Sequence, residues 1–545
     1  MKLATLDLET DPFEYGVTVQ PFLGGYYDGD RAVTIWGKDC VARLVKSLEA
    51  ETEPLTIYVH NGGRFDFFYF IGYFSHSLRI VNGRIIQATI GAHEFRDSFA
   101  IMPFPLRDYD KDIIDYELFR EEVREKHRPE ILKYFRKDLT ALYELVTAFH
   151  KEFGNKLTIG SASMKQIKAR HKFETGNETY DAKFRSYYYF GGRNQVFQSG
   201  VITGKIAVYD VNSMYPFVMQ SMLHPLGTGH TVSNRIESDT CFIEVEGKNY
   251  GAFPTRQKNG SLDFTVESGT FHPTIHEWEA ALETGCFKPE RIAKTYGFPK
   301  RGTFEEFVSH FYDERRTAKK SGDKIKTLFY KYVLNSGYGK FAQNPDNYFD
   351  WYITERGVTP PDYHECSDVS KCQLVELGGV TTCTKWWSPE YMHDNYIVWK
   401  RPLQLKSSSW YNIATGASIT GAARAVLLRG IHATDEPLYC DTDSIICRGH
   451  SSVEIDSSRI GAWDCEATGR MVAIAGKKLY AIFDREKPTL DSHCIKKAHK
   501  GARLSGAEIL AIAQGETVIS SSPVPNFKWD GRVLFTKREI RRTVR

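Results

Sequence analysis

The sequence contains no apolar run long enough to span a bilayer, no acidic tract, no Gly/Ser-rich linker and no internal repeat. A helical membrane span, a long disordered region and a repeat architecture are therefore not expected. Its ten cysteines form no even-spaced framework, and His364, Cys366, Cys372 and Cys383 lack the paired C-x-x-C spacing of a zinc knuckle. The opening Met1-Lys2-Leu3-Ala4-Thr5-Leu6 enters a strand pattern directly, without a signal peptide. The expectation is a soluble protein of a reducing, intracellular compartment, with no membrane partner.

Net charge is also small, +3 from 71 basic and 68 acidic residues. That excludes a uniformly basic surface but not a basic groove, because the bases cluster at Arg315, Arg316, Lys319 and Lys320, at Lys496, Lys497 and Lys500, and at Arg541, Arg542 and Arg545. Each cluster taken alone reads equally well as a solvated face. The remainder is ordinary globular composition, 41% apolar and 26% charged over 545 residues. Such a length implies several domains of about 100 to 200 residues each.

The first third reads as an α/β unit with strand runs at residues 3–8, 56–59 and 99–102 and a helix that starts near Pro129. Leu132, Phe135, Leu139, Leu142 and Val146 recur along it at helical spacing. Residues 303–342 read as two helices broken at Ser321-Gly322, and residues 439–447 as a β-hairpin with an acidic turn. Residues 344–405, rich in Trp, Tyr, Pro and Gly, suit an irregular or β-rich insertion.

Two sets of acids stand out. Asp7 and Glu9 flank Leu8, so strand alternation sends both to one face, where they repel unless a cation lies between them. Hard carboxylate oxygens are the ligands that Mg²⁺ or Mn²⁺ requires. Asp66 follows the strand run 57–59 at a strand-to-loop junction, and Asp138 lies one helical turn beyond Tyr134 on the same face. The second set begins with Asp210 at the carboxyl end of an apolar strand, in Asp210-Val211-Asn212-Ser213-Met214-Tyr215-Pro216. It continues with Asp441 and Asp443 in the hairpin turn Asp441-Thr442-Asp443. Between them Lys331, Asn335 and Tyr338 fall at i, i+4 and i+7, so that one helix face presents a cation, an amide and an aromatic ring. Taken singly, each element also fits a surface strand, a polar turn or a snorkelling lysine.

The four acids with a tyrosine at this offset resemble the DEDDy exonucleases. The order D-V-N-S-M-Y-P, K-x6-Y-G, Y-x-D-T-D that follows is similar to the three motifs of family B DNA polymerases. The resemblance spans residue 3 to about residue 480. It implies an RNase H-like 3′→5′ exonuclease domain joined to a right-hand polymerase of palm, fingers and thumb, a multidomain α/β and α+β fold with two insertions. It also implies two divalent metals per active site, Mg²⁺ or Mn²⁺, with dNTP substrates. Asp7, Glu9, Asp66 and Asp138 would be the ligands of one site, where Tyr134 orients the attacking water. Asp210 and Asp443, the Val211 carbonyl and nearby Asp441 would form the other. Tyr215 would pack beneath the incoming sugar, Tyr338 near the nascent base pair, and Lys331, Lys319 and Arg316 at the triphosphate, with Ser213 and Asn335 completing the nucleotide contacts.

Shorter elements resemble the protein-primed branch of phages and linear plasmids. Arg96-Asp97-Ser98-Phe99 followed by Pro103-Phe104-Pro105-Leu106 resembles its primer-strand motif, and Lys111 lies in its exonuclease lysine motif. Tyr189-Phe190-Gly191-Gly192-Arg193 matches its Y-x-G-G junction, and Lys478-Leu479-Tyr480 its K-x-Y. His60, Asn61, Phe65, Ser98, Phe99 and Thr442 join these as expected DNA contacts. The exonuclease begins almost at residue 1, leaving no room for the additional N-terminal domain of cellular relatives. The implied division is 1–165 exonuclease, 166–225 first palm part, 226–302 first insertion, 303–345 fingers, 346–408 second insertion, 409–485 second palm part, and 486–545 thumb and C-terminal segment. The insertions would contact a terminal protein primer and encircle the template.

The implied setting is the cytoplasm of a bacterial host. The implied partners are primer-template, single-stranded DNA and the terminal protein, the chain acting as a monomer or as a heterodimer with that protein. Phe99 stands where leucine is usual, Cys440 where glycine is common, and Gly337 adds flexibility to the nucleotide helix. A polymerase using a nucleic-acid primer or none, and a non-catalytic DNA-binding scaffold, remain alternatives at this stage.

Overall fold

The computed structural model describes residues 1–545 apart from 14–15, 110–111, 176–177, 344–347, 364–373, 378–379, 384–386, 393–394, 403–409, 500, 502–503, 528–532 and 543–545. Two large sheets dominate the chain, and each carries one acid set. The first has ten strands in the order Ser388–Met392, Tyr396–Pro402, Phe349–Glu355, Ser77–Val81, Arg84–Ile90, His93–Asp97, Leu55–Val59, Lys2–Thr10, Pro21–Tyr27 and Ala32–Trp36.

The strand Lys2–Thr10 lies inside this sheet, parallel to Leu55–Val59 and antiparallel to Pro21–Tyr27. Period-two alternation sends Ala4, Leu6 and Leu8 into the core with Leu44 and Leu48 of helix Cys40–Glu49. The opposite face meets helix Arg128–Phe153, where the Thr5 hydroxyl donates to the Leu139 carbonyl at 2.8 Å. Pro129 sits in the first turn of that helix, as its fixed φ favours.

The strand expected at 99–102 does not form. The sheet strand is His93–Asp97, and the Asp97 carboxylate accepts from the Phe99 N–H at 2.9 Å, starting a helical turn over Ser98–Ala100. A short apolar run looks alike in either state, and the aspartate cap decides this one.

The second sheet has seven strands, each antiparallel to its neighbours, in the order Cys494–His499, Leu479–Phe483, Trp463–Gly476, Gly200–Val211, Ser444–Ser451, Thr434–Asp441 and Asn194–Val196. Helix Ile413–His432, buried along most of its length, lies against it, and helix Met214–Ser221 packs on that helix. The helices Glu305–Ser321 and Lys324–Ser336 break as expected at Gly322, which takes a left-handed φ of 76°.

The second helix stops at Ser336 and resumes as Tyr338–Phe341. Sequence alone reads the intervening Gly337 as a source of flexibility, whereas in the fold it is a contact residue. A Cβ there would lie 2.5 Å from Ser163 Oγ and 2.6 Å from Ile167 Cδ1 of helix Ile159–Arg170. The Ser163 hydroxyl in turn donates to the Val333 carbonyl at 2.6 Å, holding the two helices together.

Residues 226–302 include a four-stranded sheet, with helix Ile275–Glu283 beside it. The described residues of the stretch 344–405 are β-rich, as expected. Their strand Phe349–Glu355 pairs with Ser77–Val81 and so extends the first sheet. The Ile353 N–H donates to the His76 carbonyl at 2.7 Å, and the His76 ring stacks on Tyr352 at 5.2 Å. His364, Cys366 and Cys372 lie outside the described residues.

Toward the C-terminus, helix Gly506–Ala513 packs on Trp463–Gly476, and a hairpin of Val518–Phe527 and Val533–Arg542 follows. The Val533 carbonyl of this hairpin accepts the Val19 N–H at 2.9 Å. Among the described residues no helix is long and apolar enough to cross a membrane.

Two effects compete at Gly337. Alanine would add about 1 kcal/mol of helix propensity, yet its methyl would force helix Ile159–Arg170 away at a cost of about 1–3 kcal/mol. Gly337→Ala is therefore expected to lower the denaturant midpoint, and a midpoint above that of the parent chain would show that the close approach is not a constraint.

Candidate active sites

In the first sheet, one ligand oxygen each from Asp7, Glu9 and Asp138 falls within a 4.8 Å group. Asp7 and Glu9 arrive from the strand and Asp138 from helix Arg128–Phe153. The helix comes this close because Gly25, opposite Asp7 in the sheet, has no side chain. A Cβ there would lie 2.9 Å from Phe135 Cε1. Asp66 opens the helical turn Asp66–Phe70, which follows strand Leu55–Val59 after a first short turn at Gly62–Arg64, and is 3% exposed. Its Oδ1 is buried without a hydrogen-bond partner. Burial, then the charge of Asp7, pushes its carboxyl well above the ordinary range. Tyr134 is driven up by burial and then by Glu9 and Asp138, so its phenol stays protonated beside them. All four acids and the tyrosine thus share one site, and an orphaned carboxylate oxygen in a crowd of acids fits a hard divalent cation.

The expected DNA contacts of this domain gather beside it. His60 Nδ1 and Ser98 Oγ are 3.0 Å apart, and the His60 and Phe99 rings 6.0 Å. Asn61 adopts a left-handed φ of 61°, and Phe65 meets Tyr69 edge-on at 5.8 Å. One residue missed in the sequence organises them: Arg84 donates to Asn61 Oδ1 at 2.9 Å, pairs with buried Asp97 and covers the Phe99 ring at 4.6 Å. Nothing in its local sequence marks Arg84, since its partners come from two other segments, around Asn61 and at Asp97 to Phe99. Lys111 lies outside the described residues.

In the second sheet Asp210 faces Ser444 across the strand pair, and the Val211 N–H donates to the Asp443 carbonyl at 2.9 Å. The distant acids are thereby neighbours. Burial and the Asp443 charge push Asp210 up to about 7, and burial opposed by a backbone hydrogen bond leaves Asp443 at about 6. Glu466, which the sequence did not single out, raises both. Asp441 has its own partners, with Lys478 Nζ at 2.8 and 2.6 Å from its two oxygens and the Tyr439 hydroxyl at 3.2 Å. The Lys478 backbone N–H donates to that same hydroxyl at 3.0 Å, and the Tyr439 ring meets Tyr480 at 5.5 Å.

Tyr215 and Tyr338 stack with centroids 4.1 Å apart and planes 10° apart, just beyond Ser213, which caps its helix with a left-handed φ of 54°. Arg316, Lys319, Lys331 and Asn335 are exposed on the paired helices, with Arg316 3.2 Å from Asp313. The Tyr189 to Arg193 segment abuts the acidic hairpin, since the Thr442 N–H donates to the Arg193 carbonyl at 2.7 Å. Arg193 is itself buried against Phe264. Arg424 holds this segment from behind. Its guanidinium donates to the Phe190 and Gly191 carbonyls at 2.6 and 2.9 Å and to buried Glu277 at 2.7 Å. A lone charge in the small apolar run of residues 413–428 was a signal that could have found it.

The sequence pattern of the family described as DNA polymerase type B, organellar and viral, matches residues 109–380. A DNA-directed DNA polymerase of Enterobacteria phage PRD1 is 43% identical across 99% of this chain and 98% of its own length. The DNA polymerase of Bacillus phage phi29 is 26% identical over 70% of this chain and 66% of its own. The solved phi29 DNA polymerase, complexed with primer-template DNA and incoming nucleotide substrates, superposes over 100% of both chains with a TM-score of 0.72 at 20% identity, and so shares the fold. Near-complete coverage at 43% identity leaves no part of the chain unaccounted for, and the protein belongs to the type B DNA polymerases of the organellar and viral kind.

Proposed function

We propose that this chain is a DNA-directed DNA polymerase that proofreads its own product, each carboxylate site working with two divalent cations, Mg²⁺ or Mn²⁺. The observation carrying this reading is the pair of separate acid groups, one per sheet, in which burial and mutual repulsion hold carboxyls above their ordinary range. Asp7, Glu9, Asp66 and Asp138 would hold the cations of the exonuclease. Asp210, Asp443 and the Val211 carbonyl, with Asp441 nearby, would hold those of the polymerase. When bound, such cations polarise a phosphate and acidify the attacking oxygen.

The chain's own residues do the positioning. The protonated Tyr134 phenol donates a hydrogen bond that orients the attacking water. The stacked Tyr215 and Tyr338 form a rigid floor, Tyr215 excluding a 2′-hydroxyl beneath the sugar and Tyr338 meeting the nascent base pair. Lys319, Lys331 and Arg316 offset the triphosphate charge, and Asn335 and Ser213 complete the nucleotide contacts. His60, Asn61, Phe65, Ser98 and Phe99, braced by Arg84, grip a frayed 3′ end, and Lys111 assists hydrolysis. Tyr189, Gly191, Gly192, Arg193, Thr442, Lys478 and Tyr480 hold the primer strand. The palm is assigned to the seven-stranded sheet and the fingers to the helix pair after residue 303. Synthesis starts on a terminal protein and proceeds with strand displacement. Support for that comes from the phage relatives, the short branch motifs and the two insertions, residues 226–302 and 346–408.

Asp443→Ala is expected to lower DNA synthesis by about 10³-fold or more while DNA binding persists. Asp7→Ala with Glu9→Ala should remove digestion of mismatched 3′ ends and spare polymerisation. Primer-extension and 3′-end release assays decide both, and an unchanged rate in either would sink the corresponding assignment.

Priming is read separately. With a linear template, a candidate terminal protein and labelled dATP, the label should become covalently attached to a Ser, Thr or Tyr of that protein. Incorporation that requires a nucleic-acid primer would overturn this part alone.

The raised carboxyls also fix a pH dependence. Because Asp210 and Asp443 bind protons more tightly folded than unfolded, they add stability below the ordinary carboxylate pKa, and it is lost as pH rises through about 6 to 7. Without divalent metal at pH 8, Asp210→Asn should melt a few degrees above the parent chain, with the gap closing in acid. Mg²⁺ should raise the parent's melting temperature more than the variant's. Thermal melts that superpose at every pH would show that these acids do not repel in the folded state.

A further inference from the structure

A cavity of about 420 Å³, none of whose lining residues belongs to either carboxylate site, lies where the segment after helix Arg128–Phe153 meets helix Ile159–Arg170. Its wall carries Lys156, Lys165, Lys168 and Trp410, with Leu157 and Met164 as apolar surface and no carboxylate. Among the described residues none of the three lysines has an ion pair, and Lys165 and Lys168 are exposed. The Trp410 indole N–H is buried without an acceptor, and Lys340 Nζ lies 5.9 Å from its ring centroid.

Three uncompensated ammonium groups around one concavity make a focused positive potential, which selects anions. The aromatic ring of Trp410 beside them offers a stacking face to a planar partner. Both demands are met by one ligand chemistry, a phosphate attached to a nucleobase, and cavities of about 300–1,000 Å³ are the usual size for such a ligand. The frame is rigid. On one side Arg96 of strand His93–Asp97 donates to the Asn155 side chain, which lines the cavity. On the other, the Ser163 hydroxyl ties helix Ile159–Arg170 to the Val333 carbonyl.

We propose that this cavity is a second, non-catalytic nucleotide seat, in which Lys156, Lys165 and Lys168 take phosphate and Trp410 takes the base. The nucleotide is either free or one unit of a single strand, and the test separates these sources. Full-length protein in EDTA is titrated with hexathymidylate and, separately, with dTTP, following tryptophan emission in the parent, in Trp410→Phe and in Lys165→Ala/Lys168→Ala.

The parent should show a saturable quench that Trp410→Phe lacks. The lysine variant should need about tenfold more ligand, and its salt dependence for the oligonucleotide should be shallower by about 0.7 per lysine removed. A quench by the oligonucleotide alone assigns the seat to a strand, and a quench by dTTP as well assigns it to free nucleotide. An identical quench in Trp410→Phe, or a lysine variant with unchanged affinity and salt slope, would overturn the proposal. Because both lysines are exposed and phenylalanine keeps a ring at 410, the fold should persist in every variant. The readout needs no metal and no synthesis, so its failure leaves the polymerase reading standing.

Discussion

Like charges forced together out of water are the constraint around which this molecule is arranged. Oxygens of Asp7, Glu9 and Asp138 lie within a 4.8 Å group, and Asp66 joins them with almost no exposure. Such an arrangement cannot be stabilised from within, so the surrounding fold has to impose it. A strand inside a ten-stranded sheet, a 26-residue helix and the short helical turn Asp66–Phe70 each deliver one part, and none can relax without breaking its own hydrogen bonds. The second acid pair is imposed in the same way, by the register that sets Asp210 against Ser444.

The two sites meet this constraint differently. Asp441 is neutralised by Lys478 and tethered by Tyr439, whereas Lys496 near Asp210, and Lys478 with a backbone hydrogen bond at Asp443, do not outweigh burial. The salt-bridged Asp441 therefore stands in the same turn as Asp443, with Asp210 on the neighbouring strand, the last two raised by burial. Arg424 performs a comparable task in the interior, where its buried pairing with Glu277 locks the Phe190 and Gly191 carbonyls against helix Ile413–His432. With one partner removed, such a pair would leave an unmatched buried charge.

Much of this was legible in the chain because it was local. Strand alternation put Asp7 and Glu9 on one face, helical spacing put Tyr134 below Asp138, and Gly322 marked the helix break. What stayed hidden depended on segments remote in sequence. Arg84 acquires its meaning from Asn61, Asp97 and Phe99, and Gly337 from Ser163 and Ile167. The misread strand at 99–102 belongs with these. Its apolar residues fit either state, and a single side-chain cap from Asp97 selects the turn.

The pairing of Trp351 with Leu78 carries a consequence for how the chain can be divided. The first sheet is closed on that side by strands contributed some 270 residues later, so its edge is borrowed. A fragment cut after residue 165 would bare the backbone amides and carbonyls along Ser77–Val81 and offer them to any passing strand. The N-terminal sheet and the strands of residues 349–402 are thus one woven object, and loosening either end frays the other.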